Sequence, residues 1–147
     1  MSSKRSAKAK ALTPVALTQP FTNLQFAVAI EGVAHAGAVE VVFPTARIVT
    51  IARRRSVTFD PMVVRRGLTE STDWFDWWEQ ERRSARAPTR LIHVVLLRPN
   101  GSEGLRWFFR DCRPTSYSIS PLNALVGAPV IESLELRVAS FELFRRQ

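Results

Sequence analysis

The sequence predicts a mainly β fold, an antiparallel two-sheet β-barrel or sandwich with one α-helix at about residues 70–83. Short stretches alternate apolar and polar residues with the period of a half-buried strand, and only one stretch has helical spacing. The 147 residues, 46% hydrophobic and 23% charged, have the size and composition of one globular domain. This composition excludes wholesale disorder, a collagen-like chain and a disulfide scaffold.

The first twenty residues differ from the rest of the chain. They are rich in Lys, Ala, Ser, Thr and Pro, and no aromatic residue occurs before Phe21. Four basic residues and no acidic residue lie in the first ten positions, which is half of the net charge of +8. Such a segment buries too little apolar surface to offset the entropy of ordering. We therefore expect a flexible basic arm over residues 1–20 and a single domain over residues 21–147.

The first strands come directly after this arm. Apolar residues alternate with smaller or polar ones across Asn23–Glu31, and a second strand covers Ala38–Phe43 before Pro44. Ile48–Val64 contains two or three β-rich stretches around Arg53, Arg54 and Arg55. On one strand these arginines would point to alternating faces and one would enter a core. We expect them in a loop or at a strand end.

The helix is predicted over Thr69–Arg83. Thr69 or Ser71 could accept hydrogen bonds from the amides of the first turn. Acidic residues near the start and arginines near the end complement the helix dipole. Three indoles at helical spacing share one face, which predicts a packing stripe made of Trp74, Trp77 and Trp78.

The second half of the chain predicts four more strands. They cover residues 91–97, 105–110, 114–119 and 133–138, the last continued by Phe141 and Leu143. A turn at Pro99–Gly101 separates the first two, and a loop with Pro and Gly precedes the last. The total is seven or eight strands and one helix.

Catalytic and metal-binding chemistry is sparse. His35 and His93 are far apart, and one cysteine, Cys112, cannot form a disulfide within the chain. Phosphate-binding glycine loops and the nucleophile elbow are absent from the sequence. We expect a hydrogen-bonded His93, a partly buried Cys112 thiol, no catalytic residue, no metal and no cofactor. No apolar run approaches the ~18 residues of a membrane-spanning helix, and no signal peptide is evident, so we expect a cytoplasmic protein.

Nucleic-acid binding is an alternative that the residues leave open. The basic arm, Arg53–Arg55 and the aromatic run at Trp107–Phe109 fit a basic groove with stacking platforms. However, strand alternation sends Trp107 and Phe109 to one face and Phe108 to the other. At least one of these faces must belong to the core.

Residues 66–78 carry a resemblance to a known family. Their sequence, Arg-Gly-Leu-Thr-Glu-Ser-Thr-Asp-Trp-Phe-Asp-Trp-Trp, resembles the tail-tube proteins of contractile phages and the inner tube proteins of phage-derived contractile injection systems. Three further segments agree in order, so that the resemblance covers about residues 21–144; they are 21–33, 106–117, and 122–124 with 130–136. The positions it marks as family signature or packing are Gly67, Leu68, Thr69, Trp74, Trp77, Trp78, Trp107, Glu132 and Leu134.

The resemblance implies a structural role. It implies a two-sheet barrel similar to the haemolysin-coregulated proteins (Hcp) of type six secretion. Such subunits form hexameric rings that stack into an inner tube, a conduit for cargo or DNA. The implied partners are further copies of the chain, a sheath, and baseplate or spike proteins, with no membrane insertion of its own. The implied location is the cytoplasm during assembly, then a virion tail or an injection particle that can be released from the cell.

One region departs from the family pattern. Tube proteins usually have a longer, often acidic and glycine-rich stretch between positions 37 and 65, which helps adjoining rings to engage. Here the stretch is short and basic and has no glycine from Ala38 to Arg66. This departure favours a second hypothesis, a baseplate-proximal tube-initiator or hub adaptor ring. In either hypothesis the sequence leaves three orientations open for Arg53, Arg54 and Arg55, which could face the lumen, a partner or solvent.

Overall fold

The computed structural model of the protein describes residue 21 and residues 25–144, and the predicted arm at 1–20 lies outside them. This part of the chain forms nine strands and one helix. The strands are β1 (Phe26–Ile30), β2 (Ala38–Val42), β3 (Ala46–Ile51), β4 (Arg54–Phe59), β5 (Met62–Gly67), β6 (Arg90–Leu97), β7 (Glu103–Ile119), β8 (Ile131–Arg137) and β9 (Ser140–Phe144), and the helix is α1 (Asp73–Arg83).

Two antiparallel sheets share the long strand β7. The first sheet has the order β1-β6-β7-β9 and uses the N-terminal part of β7, whereas the second has the order β7-β8-β5-β2 and uses residues 113–119. The strands predicted over 105–110 and 114–119 are therefore one strand of 17 residues. The strand passes between the sheets near Asp111, whose φ of 52° accompanies a shift of register against β6.

The predicted mainly β, two-sheet fold with one helix is confirmed, but the sheets do not close into a barrel. Within the described residues, β1 pairs only with β6 and β2 only with β5. Strands β3 and β4 form a separate hairpin outside both sheets. The fold is thus an open sandwich with a gap between β1 and β2.

The core lies between the inward faces of the two sheets. Alternate residues of β5 and β8 point inward, as the period-two pattern predicts, and among them Val64, Leu134 and Leu136 are fully buried. Helix α1 contributes the two largest core side chains, Trp74 and Trp77. The helix therefore fixes one end of the sandwich through its indoles.

The helix ends as predicted but begins later than expected. Its N-cap is Thr72, which makes no side-chain capping hydrogen bond, so the expected capping by Thr69 or Ser71 is wrong. The Thr69 hydroxyl instead accepts a bond from the Ser71 amide at 3.2 Å, within the preceding turn. The Asp73 carboxylate accepts the amide of the next residue at 2.8 Å, which satisfies a free donor of the first turn.

Candidate assembly surfaces

A buried charge cluster connects the helix to the second sheet. Arg66 on β5 and Glu132 on β8 are register partners, and their side chains form an ion pair with residue exposures of only 4% and 1%. The same guanidinium pairs with Asp73 at the start of α1 and lies 4.3 Å from the ring centroid of Trp74. The Tyr117 hydroxyl on β7 donates to the Glu132 carboxylate at 2.6 Å. The cluster consists of Arg66, Asp73, Glu132 and Tyr117.

The charges in this cluster support one another. Burial alone would lower the pKa of Arg66, but hydrogen bonds to Asp73 and Glu132 raise it. Burial and the bond to Glu132 raise the pKa of Tyr117, so its hydroxyl remains a donor. A buried carboxylate needs such partners to remain charged. The cluster therefore holds α1 at a fixed position against β5, β7 and β8.

The predicted signature residues divide into buried and surface positions. Trp74, Trp77, Glu132 and Leu134 are buried, whereas Trp78 and Trp107 are half-buried and pack against the core. Gly67, the last residue of β5, is half-buried, and Leu68 and Thr69 in the turn between β5 and α1 are exposed. Arg66 was not among the predicted positions. The inward-facing Glu132 was the available signal, because a buried carboxylate requires a cation.

The second sheet has an unpaired edge on each side. Within residues 25–144, the outer edge of β2 has no partner strand. Residues 113–119 of β7 likewise pair only with β8 in the described part of the chain. A free strand edge presents backbone N–H and C=O groups that can pair with another chain. These two edges are candidate surfaces for contact between copies.

The β3–β4 hairpin projects beyond both sheets. Its turn at Ala52 and Arg53 has φ angles of 50° and 65°, the left-handed pair that matches the twist of a two-residue hairpin. The tip exposes three arginines, Arg53, Arg54 and Arg55, which confirms the prediction that they lie in a loop or at a strand end. They form no ion pair with another described residue. Large apolar side chains on the same hairpin are also exposed, namely Ile48, Ile51 and Val57.

Two further apolar surfaces lie near the edges of the second sheet. The first is the apolar loop, residues 120–130, which joins β7 to β8 and exposes Leu122, Leu125 and Val126. The second is a groove of about 410 Å³ beside the free edge of β2, at the gap between the two sheets. Its lining is mostly apolar and consists of Phe26, Val39, Glu40, Val41, Phe43, Val94, Leu96 and Trp107.

The two potentially reactive side chains, His93 and Cys112, lie in surroundings that give them a structural role. His93 accepts a hydrogen bond at Nδ1 from Arg106 at 2.9 Å, and burial together with the neighbouring arginine charges lowers its pKa. Cys112 is fully buried, and its burial raises the thiol pKa to about 12.

The described residues contain no group of three or more His, Cys, Asp or Glu placed to hold a metal ion. Within the same part of the chain, none of the helices is sufficiently long and apolar to cross a membrane.

Comparison with known proteins gives one family. The family model for the T4-like virus tail tube protein gp19 matches residues 22–142. None of the curated proteins matches the chain.

Solved structures with a similar fold include two chains of an extracellular contractile injection system and an Hcp1 protein. A chain of the PVC sheath-tube complex, from an extracellular contractile injection system in its extended state, is 14% identical with a TM-score of 0.68, covering 90% of this chain and 96% of that one. The PVC sheath/tube terminator is 16% identical with a TM-score of 0.74, covering 88% and 99%. Hcp1 from Flavobacterium johnsoniae is 12% identical with a TM-score of 0.60, covering 81% and 94%. At these identities the similarity concerns the fold.

Proposed function

Since the chain belongs to the T4-like virus tail tube protein gp19 family, we propose that it forms hexameric rings that stack into the inner tube of a contractile tail or injection system. Membership of this family makes the chain a structural tube subunit and a component of a phage tail or contractile injection particle. The proposal adds the number of copies, the stacking of rings, and a lumen that serves as a conduit for cargo or DNA.

The two free edges of the second sheet carry this proposal. They belong to different strands, β2 and the C-terminal part of β7, and lie on opposite sides of the same sheet. Pairing of one edge with the other edge of the next copy is a head-to-tail contact, and such contacts generate a ring when the rotation closes. Ring closure would leave neither edge open to unspecific pairing.

The projecting hairpin suits contact between rings. Its exposed Ile48, Ile51 and Val57 would be covered by an adjacent ring. This region is shorter than in the tube proteins that the chain resembles. It nevertheless forms a projecting segment, and in those proteins the corresponding segment helps adjoining rings to engage. The arginines at the tip, Arg53–Arg55, would contact the next ring or a separate acidic partner.

The proposed partners and location are those of a subunit in a contractile tail or injection system. A sheath and baseplate or spike proteins are the proposed partners, with assembly in the cytoplasm and transport within a virion or a released particle. We propose no catalytic activity. The buried thiol of Cys112, with its pKa of about 12, is a poor nucleophile.

A specialised ring is the second candidate. The short region between Gly37 and Arg65 supports a baseplate-proximal initiator or hub adaptor ring, and the similarity in fold to the PVC sheath/tube terminator adds a weak hint of a specialised ring. An initiator or hub adaptor would form single or paired rings, whereas a main tube protein would form long stacks. The length distribution of the assemblies separates these two candidates.

Electron microscopy and mass photometry test the proposal on the purified full-length chain. Particles of six times the 16.6 kDa subunit mass, seen as rings of uniform diameter, are expected as the concentration rises. A protein that remains monomeric at high concentration would contradict the proposal. Ile51→Ser is expected to shorten stacks while it leaves single rings intact, because Ile51 lies on the hairpin and not on a sheet edge.

A further inference from the structure

We propose that the apolar loop of each copy fills the groove of the next copy, so that one subunit inserts its Leu125 region beside the β2 edge of its neighbour. The inference rests on the ring proposed above and names the side-chain contact that would accompany edge pairing. The occupant of the groove is a second copy of this chain.

The apolar loop has the character of an inserting segment. Leu125 is 95% exposed, and Leu122 and Val126 are also well exposed on the same short loop. Residues 120–131 contain no charged side chain, although charged residues make up 23% of the sequence. An exposed apolar patch without charge is unusual on the surface of a protein that remains a monomer.

The groove has the matching character. Its walls are aromatic and aliphatic side chains from β1, β2, β6 and β7, and Val39 on its rim is 60% exposed. Glu40 is the charged residue in the lining, and it already forms an ion pair with Arg65. An uncharged guest would therefore leave no unpaired charge in the contact.

Topology determines which copy supplies the guest. The loop follows the free part of β7, whereas the groove lies beside β2, and strands β8 and β5 separate these two edges. The two free edges are thus three strand spacings apart, a distance of about 14 Å across the sheet. In a head-to-tail ring the β7 edge of one copy faces the β2 edge of the next, which brings the loop of the first copy to the groove of the second.

Cross-linking between two variants that each carry one introduced cysteine in addition to Cys112 tests the pairing. Leu125→Cys and Val39→Cys are mixed and treated with a short bismaleimide, and Cys112 is expected not to react because its thiol is fully buried. The expected product is a covalent dimer that contains one copy of each variant. The matched control mixes Leu125→Cys with Ile51→Cys, whose cysteine lies on the exposed hairpin, and no comparable dimer is expected.

Removal of the loop side chain gives an independent measurement. Because burial of a leucine contributes enough for at least a tenfold change in an equilibrium constant, Leu125→Ser is expected to raise the concentration needed for ring formation about tenfold. The melting temperature of the monomer is expected to remain unchanged, since the replaced side chain is exposed. Ile51→Ser, at another exposed apolar position, is expected to form rings at the wild-type concentration.

The outcomes separate this inference from the proposed function. Hexamers without the mixed cross-link, and with normal assembly of Leu125→Ser, would overturn the loop–groove contact and leave the ring intact. A mixed cross-link without hexamers would retain the contact and overturn ring closure. Absence of both the cross-link and hexamers would overturn the two proposals together.

Discussion

Replacement of Arg66 by methionine is the sharpest test of the buried charge cluster. The change removes the guanidinium that pairs with both Glu132 and Asp73 and leaves two carboxylates without it. Asp73 retains access to water, but Glu132 does not, because its side chain is 1% exposed. Breaking a buried pair by removal of one partner costs about 3–5 kcal/mol. For a chain of this length such a loss lowers the melting temperature by roughly 6–20 °C.

The neighbouring arginine supplies a matched control. Arg65 lies on the opposite face of β5 and pairs with Glu40 at the surface. Exposed ion pairs contribute about 0–1 kcal/mol, so Arg65→Met is expected to unfold almost as the wild type does. Urea and thermal unfolding, followed by circular dichroism, give both values. Equal losses of stability in Arg65→Met and Arg66→Met would refute the role of the buried cluster.

Three further predictions concern the helix, acid stability and the hairpin. Trp74→Ala is expected to lower the free energy of unfolding by about 3–5 kcal/mol, and Trp78→Ala by less because that indole is half-buried, which denaturant titrations will compare. Burial tends to raise the pKa of the Asp73 carboxyl, but Arg66 lowers this pKa below its usual 3.8. The stability that Asp73 contributes is therefore present above pH 3.8 and is lost as the pH falls through the lower pKa of the folded state. The urea midpoint of Asp73→Asn is expected to decline less below about pH 4 than that of the wild type. Replacement of Arg53–Arg55 by serine is expected to change stability by less than about 0.5 kcal/mol, and a steeply salt-dependent affinity for DNA that this variant loses would support nucleic-acid contact at the hairpin tip.

Local patterns predict most of the strands because burial on one face imposes a period of two. The alternation at Phe26–Ile30 and at Ile131–Arg137 coincides with β1 and β8. The same pattern predicts two strands where the structure has the single strand β7. The reason is that Pro114 and the charged residues near Asp111 interrupt the alternation where the strand passes from one sheet to the other. That continuity depends on pairing with β6, β8 and β9, which local periodicity does not contain.

The candidate surfaces were less accessible to sequence reasoning for the same reason. Strand edges are free only relative to a complete pairing order, and the order β7-β8-β5-β2 joins strands that are far apart in the chain. Arg66 follows Met62 and Val64 on the inward face of β5, but an arginine at such a position is normally interpreted as exposed. Its burial requires Glu132 from β8, a partner 66 positions away.

Hydrogen exchange measured on separated monomers and rings tests ring closure through the free strand edges most directly. Pairing between copies is expected to slow exchange of the outward amides of β2 and of residues 113–119, while amides of β6, which already has a partner strand on each side, remain unchanged. Rings in which both edges of the second sheet exchange as rapidly as in the monomer would contradict assembly through these strands.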